Sequence, residues 1–355
     1  MKHIFVIDSN SFSEETWKMD VIYKEIVEYF EAKEEPYNWQ AMGDRRSNRT
    51  GGRREGSADD RRDPPPPVKA ENPDYFIVIS KYRRDAIVLI QQGIDKFDFG
   101  EDIRVYAIGG EEILFDCLNG IAGIRNIEFA IMPFEDACAF LNNFGEENLQ
   151  SFKDIKSLIQ APVIPTDIIN IGRLCGINAC LLGFAPAVPF KNQELAKKMG
   201  EDISVIFPFN KIIGYLSNLI IALDKQITAQ HYTVMIDDKD YSGNYNFIRI
   251  ANGPYYNDSM VSIKGAIPDD GLLNIELFKT GGFLKNMRTM GRYFRRKEIT
   301  GNINILAKKI TIRSDELIWV QLDGEYFQDN NLTIEARPGV LQVAAPNDLT
   351  YQKQE

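Results

Sequence analysis

Gly109 and Gly110 follow the apolar run Ile103 to Ile108 and precede a stretch of helical character. Paired glycines in that setting leave backbone N–H groups bare at a helix N-terminus, an arrangement suited to phosphate. Glu111 and Glu112 come next, where an anion would be repelled. A carboxylate about 4 Å from a phosphate oxygen costs about 4 kcal/mol at an effective dielectric of about 20, which is about three decades in affinity. A magnesium ion could bridge such charges, since hard cations take carboxylate oxygens. The plain alternative is a strand-to-helix turn whose acidic first turn complements the helix dipole. Two further acidic turns stand out, PDDG with Asp270 and, after the strand-like LIWVQL, QLDGE with Asp323 and Glu325. Asp-Gly is also ordinary tight-turn chemistry, so the plain alternatives are a tight turn for PDDG and a hairpin with exposed acids for QLDGE.

These turns need elements to hold them. Residues 3–8 read as a buried strand and 14–33 as a helix with apolar residues at helical spacing. After residue 73, YFIVIS, a helix over 83–96, IRVYAI, a helix over 113–121 and FAIMPF alternate. Such alternation predicts a parallel sheet covered on both faces, with ligands bound beyond the carboxyl ends of the strands, where Gly109 and Gly110 fall. From about residue 163 the pattern changes to short alternating segments: QHYTVMIDD, YNFIRIANG, LLNIELF, KKITIRS, LIWVQLDGEYF and LTIEARP. Hairpin-like turns between them predict an antiparallel sandwich, interrupted by a helical pair over 193–225.

The totals narrow the function. A chain of 355 residues is long enough for two domains, and an apolar fraction of 44% is enough to fill them. A formal charge of −10 argues against nucleic acid as a partner. Cys117, Cys138, Cys175 and Cys180 sit in apolar surroundings without CxxC spacing, which predicts reduced core residues. Residues 38–73, rich in Arg, Asp, Gly and Pro, have too little apolar surface to offset ordering entropy and read as a disordered insertion. No apolar run reaches membrane-span length and the N-terminus lacks signal-peptide character, so a cytoplasmic protein is expected.

The order of elements, with GG after a strand, a Pro-led turn after the next, DDGLL in a late turn and QLDGE near the end, resembles the diacylglycerol kinase and sphingosine kinase family of lipid kinases. The resemblance runs over about residues 1–345 apart from the insertion. It implies an α/β plus all-β architecture, a two-domain lipid kinase fold: a Rossmann-like α/β domain over 1–145, an antiparallel β-sandwich over 146–335, and a segment, 336–355, returning to the first domain. It also implies ATP and Mg2+ as cofactors and a lipid substrate or ligand, with a homodimer left open. By the same resemblance the nucleotide loop falls on Gly109, Gly110, Glu111, Glu112 and Asp116. The magnesium-organising carboxylate falls on Asp270, flanked by the carbonyls of Ile267 and Leu272. The general base for the lipid hydroxyl falls on Glu325, with Asp323 beside it; a partly desolvated carboxylate near another can accept a proton in flight.

The frame is kept while its chemistry changes. The family's GGDGT becomes Gly109, Gly110, Glu111, Glu112 and Ile113; its GTGNDF becomes Glu135, Asp136, Ala137, Cys138, Ala139 and Phe140; and Asp8, Ser9 and Phe12 stand in an early phosphate loop. The sequence therefore predicts a family member with weak or lost ATP binding. Its alternative is a catalytically inactive relative acting as a lipid-binding or regulatory protein. KNMRTMGRYFRRK adds a basic amphipathic stretch suited to an anionic bilayer surface, so peripheral membrane contact is expected.

Overall fold

Runs of Ile, Val and Phe without polar alternation are suited to strands covered on both faces, and the first such run forms β1 (Lys2–Asp8), buried over six of its seven residues. The computed structural model describes residues 1–13, 15–31, 74–97, 100–134, 138–187, 230–255, 263, 265–295, 299 and 301–352. The insertion over 38–73 and the helical pair over 193–225 lie outside the described residues. β1 lies between β2 (Tyr75–Ser80) and β3 (Ile103–Gly109), and β3 pairs with β4 (Ile127–Pro133), every pairing parallel. The resulting order β2-β1-β3-β4 reverses direction at β1, which opens a crevice beyond the carboxyl ends of β1 and β3. Helices α1 (Thr16–Glu31), α2 (Asp85–Ile94) and α3 (Glu111–Ile121) follow β1, β2 and β3.

Two of these helices begin elsewhere than periodicity alone predicts. α3 takes in Glu111 and Glu112, because Gly110 supplies an extended N-cap and acids in a first turn oppose the helix dipole favourably. α2 begins at Asp85, whose carboxylate accepts the Lys81 and Tyr82 amides at 2.8 and 3.0 Å. That local turn leaves Arg83 and Arg84 ahead of the helix.

The second half is an antiparallel sheet domain. β5 (Val163–Ile171), β6 (Leu174–Gly176) and β7 (Ala179–Gly183) lead through residues outside the described set to β8 (His231–Ile236), β9 (Lys239–Asp240) and β10 (Gly243–Ala251). β11 (Leu273–Lys279), α5 (Phe283–Phe294), β12 (Ile303–Ala307), β13 (Lys309–Leu322) and β14 (Glu325–Ala344) complete it, with α4 (Ile155–Gln160) lying before β5. In β8 the alternation is strict, Tyr232, Val234 and Ile236 inward and His231, Thr233 and Met235 outward. β8 pairs with both β10 and β13, and those two also share β7. The network thus closes on itself around Tyr232, Val234, Ile250, Ile275, Ile312 and Val320.

KKITIRS and LIWVQL are one strand, β13, with a bulge between Arg313 and Ile318, and LTIEARP is the middle of β14. β14 joins the two halves. It starts beside β13 and ends with Gln342 and Val343 paired in parallel to Glu128 and Phe129 of β4. After it, the Tyr351 hydroxyl meets the Thr166 hydroxyl at 2.5 Å and the Gln352 amide donates to the Asn143 carbonyl at 2.7 Å.

All four cysteines are buried and unpaired, and burial pushes the Cys138 thiol up to about 12. Among the described residues no helix is long and apolar enough to cross a membrane. In α5, Met290 is buried and Tyr293 meets Phe184 and Phe247 with ring centroids 5.6 and 5.5 Å away, so much of its apolar face packs into the domain. Leu284, Lys285 and Arg288 remain exposed on it, as does Arg295 just after it.

Candidate functional site

The turn after β3 is built tightly on the turn after β1. Gly109 has φ of 149°, and a Cβ there would lie 2.8 Å from Asp8 Cβ and 3.0 Å from Ile113 Cγ2. Its glycine is needed for contact with the protein's own atoms, whatever else approaches. Gly110 N–H donates to Ser11 Oγ at 3.0 Å, and that hydroxyl donates to Asp8 Oδ2 at 2.6 Å. Asp8 also accepts the Asn10 and Ser11 amides at 3.0 and 3.2 Å, which fixes the loop. The anion-facing amide is thereby committed inside the chain. Glu111 leans across to accept the Ala139 amide at 3.3 Å, Glu112 is exposed, and the buried Ile113 offers no hydroxyl. Glu135 and Asp136 lie outside the described residues.

Asp116 faces away from that turn. Its Oδ2 accepts the backbone N–H of Arg84 at 2.5 Å, holding Arg84 at φ 68°, in the left-handed region that a residue with a Cβ adopts only under constraint. Burial raises the Asp116 carboxyl above its ordinary range, against the Arg84 amide, and the charge of Glu325 adds to the rise. The Arg84 side chain then reaches Glu325: Nη2 donates to Oε1 at 2.5 Å, while Arg83 Nη2 donates to Oε2. Asp116 and Glu325, named separately by the sequence, are thus brought together through Arg84.

Asp323 and Glu325 part company at the hairpin. Leu322 pairs with Glu325, which leaves Asp323 and Gly324 as a two-residue loop with φ of 44° and 87°. Asp-Gly is the usual choice where both loop residues need positive φ. The Asp323 carboxylate turns inward and accepts the amides of Ile177, Asn178 and Ala179, at 2.5 Å for Ile177 and 2.8 Å for Ala179. Burial pushes it up to about 6 despite those three donors. The acid electrostatically felt by Asp116 is Glu325, whereas Asp323 serves the turn before β7.

Asp270 lies in the turn before β11. Its Oδ1 accepts the Leu272 amide at 2.9 Å, and burial raises its carboxyl, with Asp167 and Asp269 adding to the rise. Ile267 and Leu272 are half-buried beside it. Asp167 is the organising residue here, unmarked in the sequence: buried, it accepts the amides of Gly271 at 2.6 Å and Gly339 at 2.7 Å. Carboxylate and carbonyl oxygens suit a hard cation, yet among the described residues no three His, Cys, Asp or Glu side chains form a metal-holding group. Asn252 Nδ2 donates to the carbonyls of Asp167 at 2.8 Å and Ile177 at 2.9 Å, and the Ile177 amide donates to Asp323, so the Asp270 turn and the Asp323–Gly324 hairpin are linked through Asp167, Asn252 and Ile177.

Between the domains Glu111, Leu114, Ala139, Ile177, Asn178 and Asp323 line a cavity of about 20 Å3, room for roughly one water molecule.

The C-terminal stretch 206–345 matches the family described as YegS C-terminal NAD kinase beta sandwich-like domain. A Staphylococcus aureus (strain MRSA252) protein whose name is "putative lipid kinase" is 28% identical over 281 residues, covering 77% of this chain and 87% of the relative. These likenesses support a place in a diacylglycerol kinase-like lipid kinase family. The fold agrees. A Bacillus anthracis str. Sterne structure titled "a putative diacylglycerol kinase" superposes with a TM-score of 0.61 at 20% identity, over 98% of both chains. A second structure from the same source gives 0.55 at 22% identity, over 80% of this chain and 89% of that one. Within this lipid kinase-like chain, the residues that family motifs leave unmarked are Arg83 and Arg84. The signal that could have found them is two arginines three and four residues past the end of a parallel strand, beyond the carboxyl end where ligands of such sheets gather.

Proposed function

We propose that this protein is a lipid-binding member of the lipid kinase family whose nucleotide binding is weak, with any phosphoryl transfer to a lipid hydroxyl correspondingly slow. The observation that carries this reading is the Gly110 amide, spent on Ser11 Oγ at 3.0 Å under Asp8. A triphosphate would have to displace that hydroxyl while approaching Glu111 and Glu112, and neither Ile113 nor Ala139 offers it a polar side chain. The lipid part of the reading follows the names of the relatives. Glu325 is the base in this reading, and both its oxygens are held by Arg83 and Arg84, so a lipid hydroxyl would have to compete for them. ATP and Mg2+ remain the co-substrates that the reading implies. The carboxylates that would meet the metal in this reading are Glu111 and Glu112 at the turn after β3 and Asp270 in the turn before β11.

Unfolding followed with and without Mg·ATP tests it. With a Kd of 1 mM or weaker, 5 mM nucleotide gives a gain of no more than about 1 kcal/mol. A saturable gain of about 2.7 kcal/mol, the value at a hundred times Kd, would overturn the weak-binding reading. Binding to diacylglycerol-containing vesicles over plain phosphatidylcholine is the companion result expected. Rapid phosphate transfer to diacylglycerol, lost in Glu325→Gln, would instead make the chain an efficient kinase.

A further inference from the structure

We propose that Arg83 and Arg84 form a phosphate-binding pair at the mouth of the interdomain cleft, and that Glu325 occupies it as an internal stand-in for a phosphate group. Both guanidiniums converge on one carboxylate. Arg83 bonds to Oε2 and Arg84 to Oε1, so the two oxygens of Glu325 sit where two oxygens of a phosphate monoester would. A planar guanidinium fork matches phosphate as well as it matches carboxylate. Exposure separates this pair from an ordinary buried ion pair. The Glu325 side chain is 9% exposed, whereas each arginine side chain is 54% exposed. Each therefore spends one donor on Glu325 and keeps much of its remaining fork in contact with solvent.

The backbone beneath is built to present them. Asp85 gathers the Lys81 and Tyr82 amides and the Ser80 hydroxyl, which shapes the turn after β2. Asp116 pins the Arg84 amide and with it the left-handed conformation that sends the side chain towards the second domain. The pair lies beyond the carboxyl end of β2, on the ligand side of the parallel sheet. Two cations on a preshaped turn therefore do what the committed Gly110 amide cannot. When a phosphate group takes the guanidiniums, Glu325 is released from both, so its carboxylate becomes available to a hydroxyl only when phosphate is present.

The shared chemistry is a phosphate monoester, carried by a nucleotide or by a phospholipid headgroup such as phosphatidic acid. Inorganic phosphate, short-chain phosphatidic acid and Mg·ATP are titrated separately into the full chain and its variants. Glu325→Gln is the decisive variant, since it keeps the shape and removes the competing charge. Its affinity for at least one phosphate probe is expected to rise at least about tenfold, as loss of a carboxylate beside an incoming anion requires even with solvent screening. Arg83→Gln and Arg84→Gln, each leaving Glu325 one guanidinium, are expected to bind the same probe several-fold more weakly than the wild type. Tightening confined to phosphatidic acid identifies a lipid headgroup as the source, and tightening confined to Mg·ATP identifies the nucleotide. Unchanged phosphate affinity in Glu325→Gln, or wild-type affinity in both arginine variants, would reduce the cluster to an interdomain ion pair and end the proposal. The outcome is independent of the nucleotide reading above, because that reading turns on Gly110 and Ser11 and inorganic phosphate needs neither.

Discussion

Asp323→Ala is expected to destabilise the antiparallel domain by about 3 kcal/mol, and the loss should be felt first at three amides. Ile177, Asn178 and Ala179 all donate to this one carboxylate, beside a cavity with room for only about one water molecule to replace it. Each orphaned buried donor costs about 1 kcal/mol or more, and an alanine at φ 44° adds strain. Hydrogen exchange reads the result directly: protection of those three amides should collapse while that of β1 and β3 is kept. If protection there survives, Asp323 is not what holds the turn. A pH series adds a sign. Burial raises the folded carboxyl to about 6 from an ordinary value of 3.8, so the protonated acid is the form the fold prefers. The associated stability is present below about pH 4 and is lost as pH rises through 6. Asp323→Asn, which cannot ionise, should therefore lose less stability than the wild type between pH 4 and pH 7. The opposite trend would mean that the three N–H donors outweigh burial.

That residue shows how far a sequence can be read. Asp-Gly between two apolar alternating runs marks a hairpin, and the structure puts a two-residue loop there. What spacing could not assign is the separation of Asp323 and Glu325 to different partners. They are two residues apart, yet one serves residues 177–179 and the other Arg83 and Arg84, contacts made across 144 to 242 residues of chain. Long-range partners of that kind follow from strand order, and strand order came from β14 crossing between the domains, a single 20-residue strand that reads as separate short segments. The parallel half was more legible because its strands are uninterrupted apolar runs and its helices follow them closely. Asp167 was not legible at all. Its neighbours Thr166 and Ile168 give no motif, and its role comes from two glycine amides, Gly271 and Gly339, that meet only in three dimensions.

Gly109→Ala is expected to cost the fold about 3 kcal/mol with or without nucleotide, which separates two reasons for a glycine at this point. If Gly109 were kept only to let a triphosphate approach, a methyl group there would weaken ATP binding and leave the apo protein as stable as before. The packing requires the reverse. The new Cβ would stand 2.8 Å from Asp8 Cβ and 3.1 Å from Ser11 Oγ, with φ at 149°. Neither neighbour can withdraw easily, because Asp8 holds the Asn10 and Ser11 amides and Ser11 holds Gly110. Overpacking of this sort, joined to backbone strain, costs about 2–4 kcal/mol. Ser11→Ala offers the converse. It removes the hydroxyl that occupies the Gly110 amide and leaves Asp8 to its two backbone donors, so its effect on stability is about 1 kcal/mol. Its effect on Mg·ATP should be favourable, with affinity rising as the amide is freed. A stable Gly109→Ala protein that has lost nucleotide binding would show that the turn still works as a phosphate cradle. An unstable one, together with a Ser11→Ala protein that binds ATP more tightly, would show that the chain has filled the cradle with its own hydroxyl.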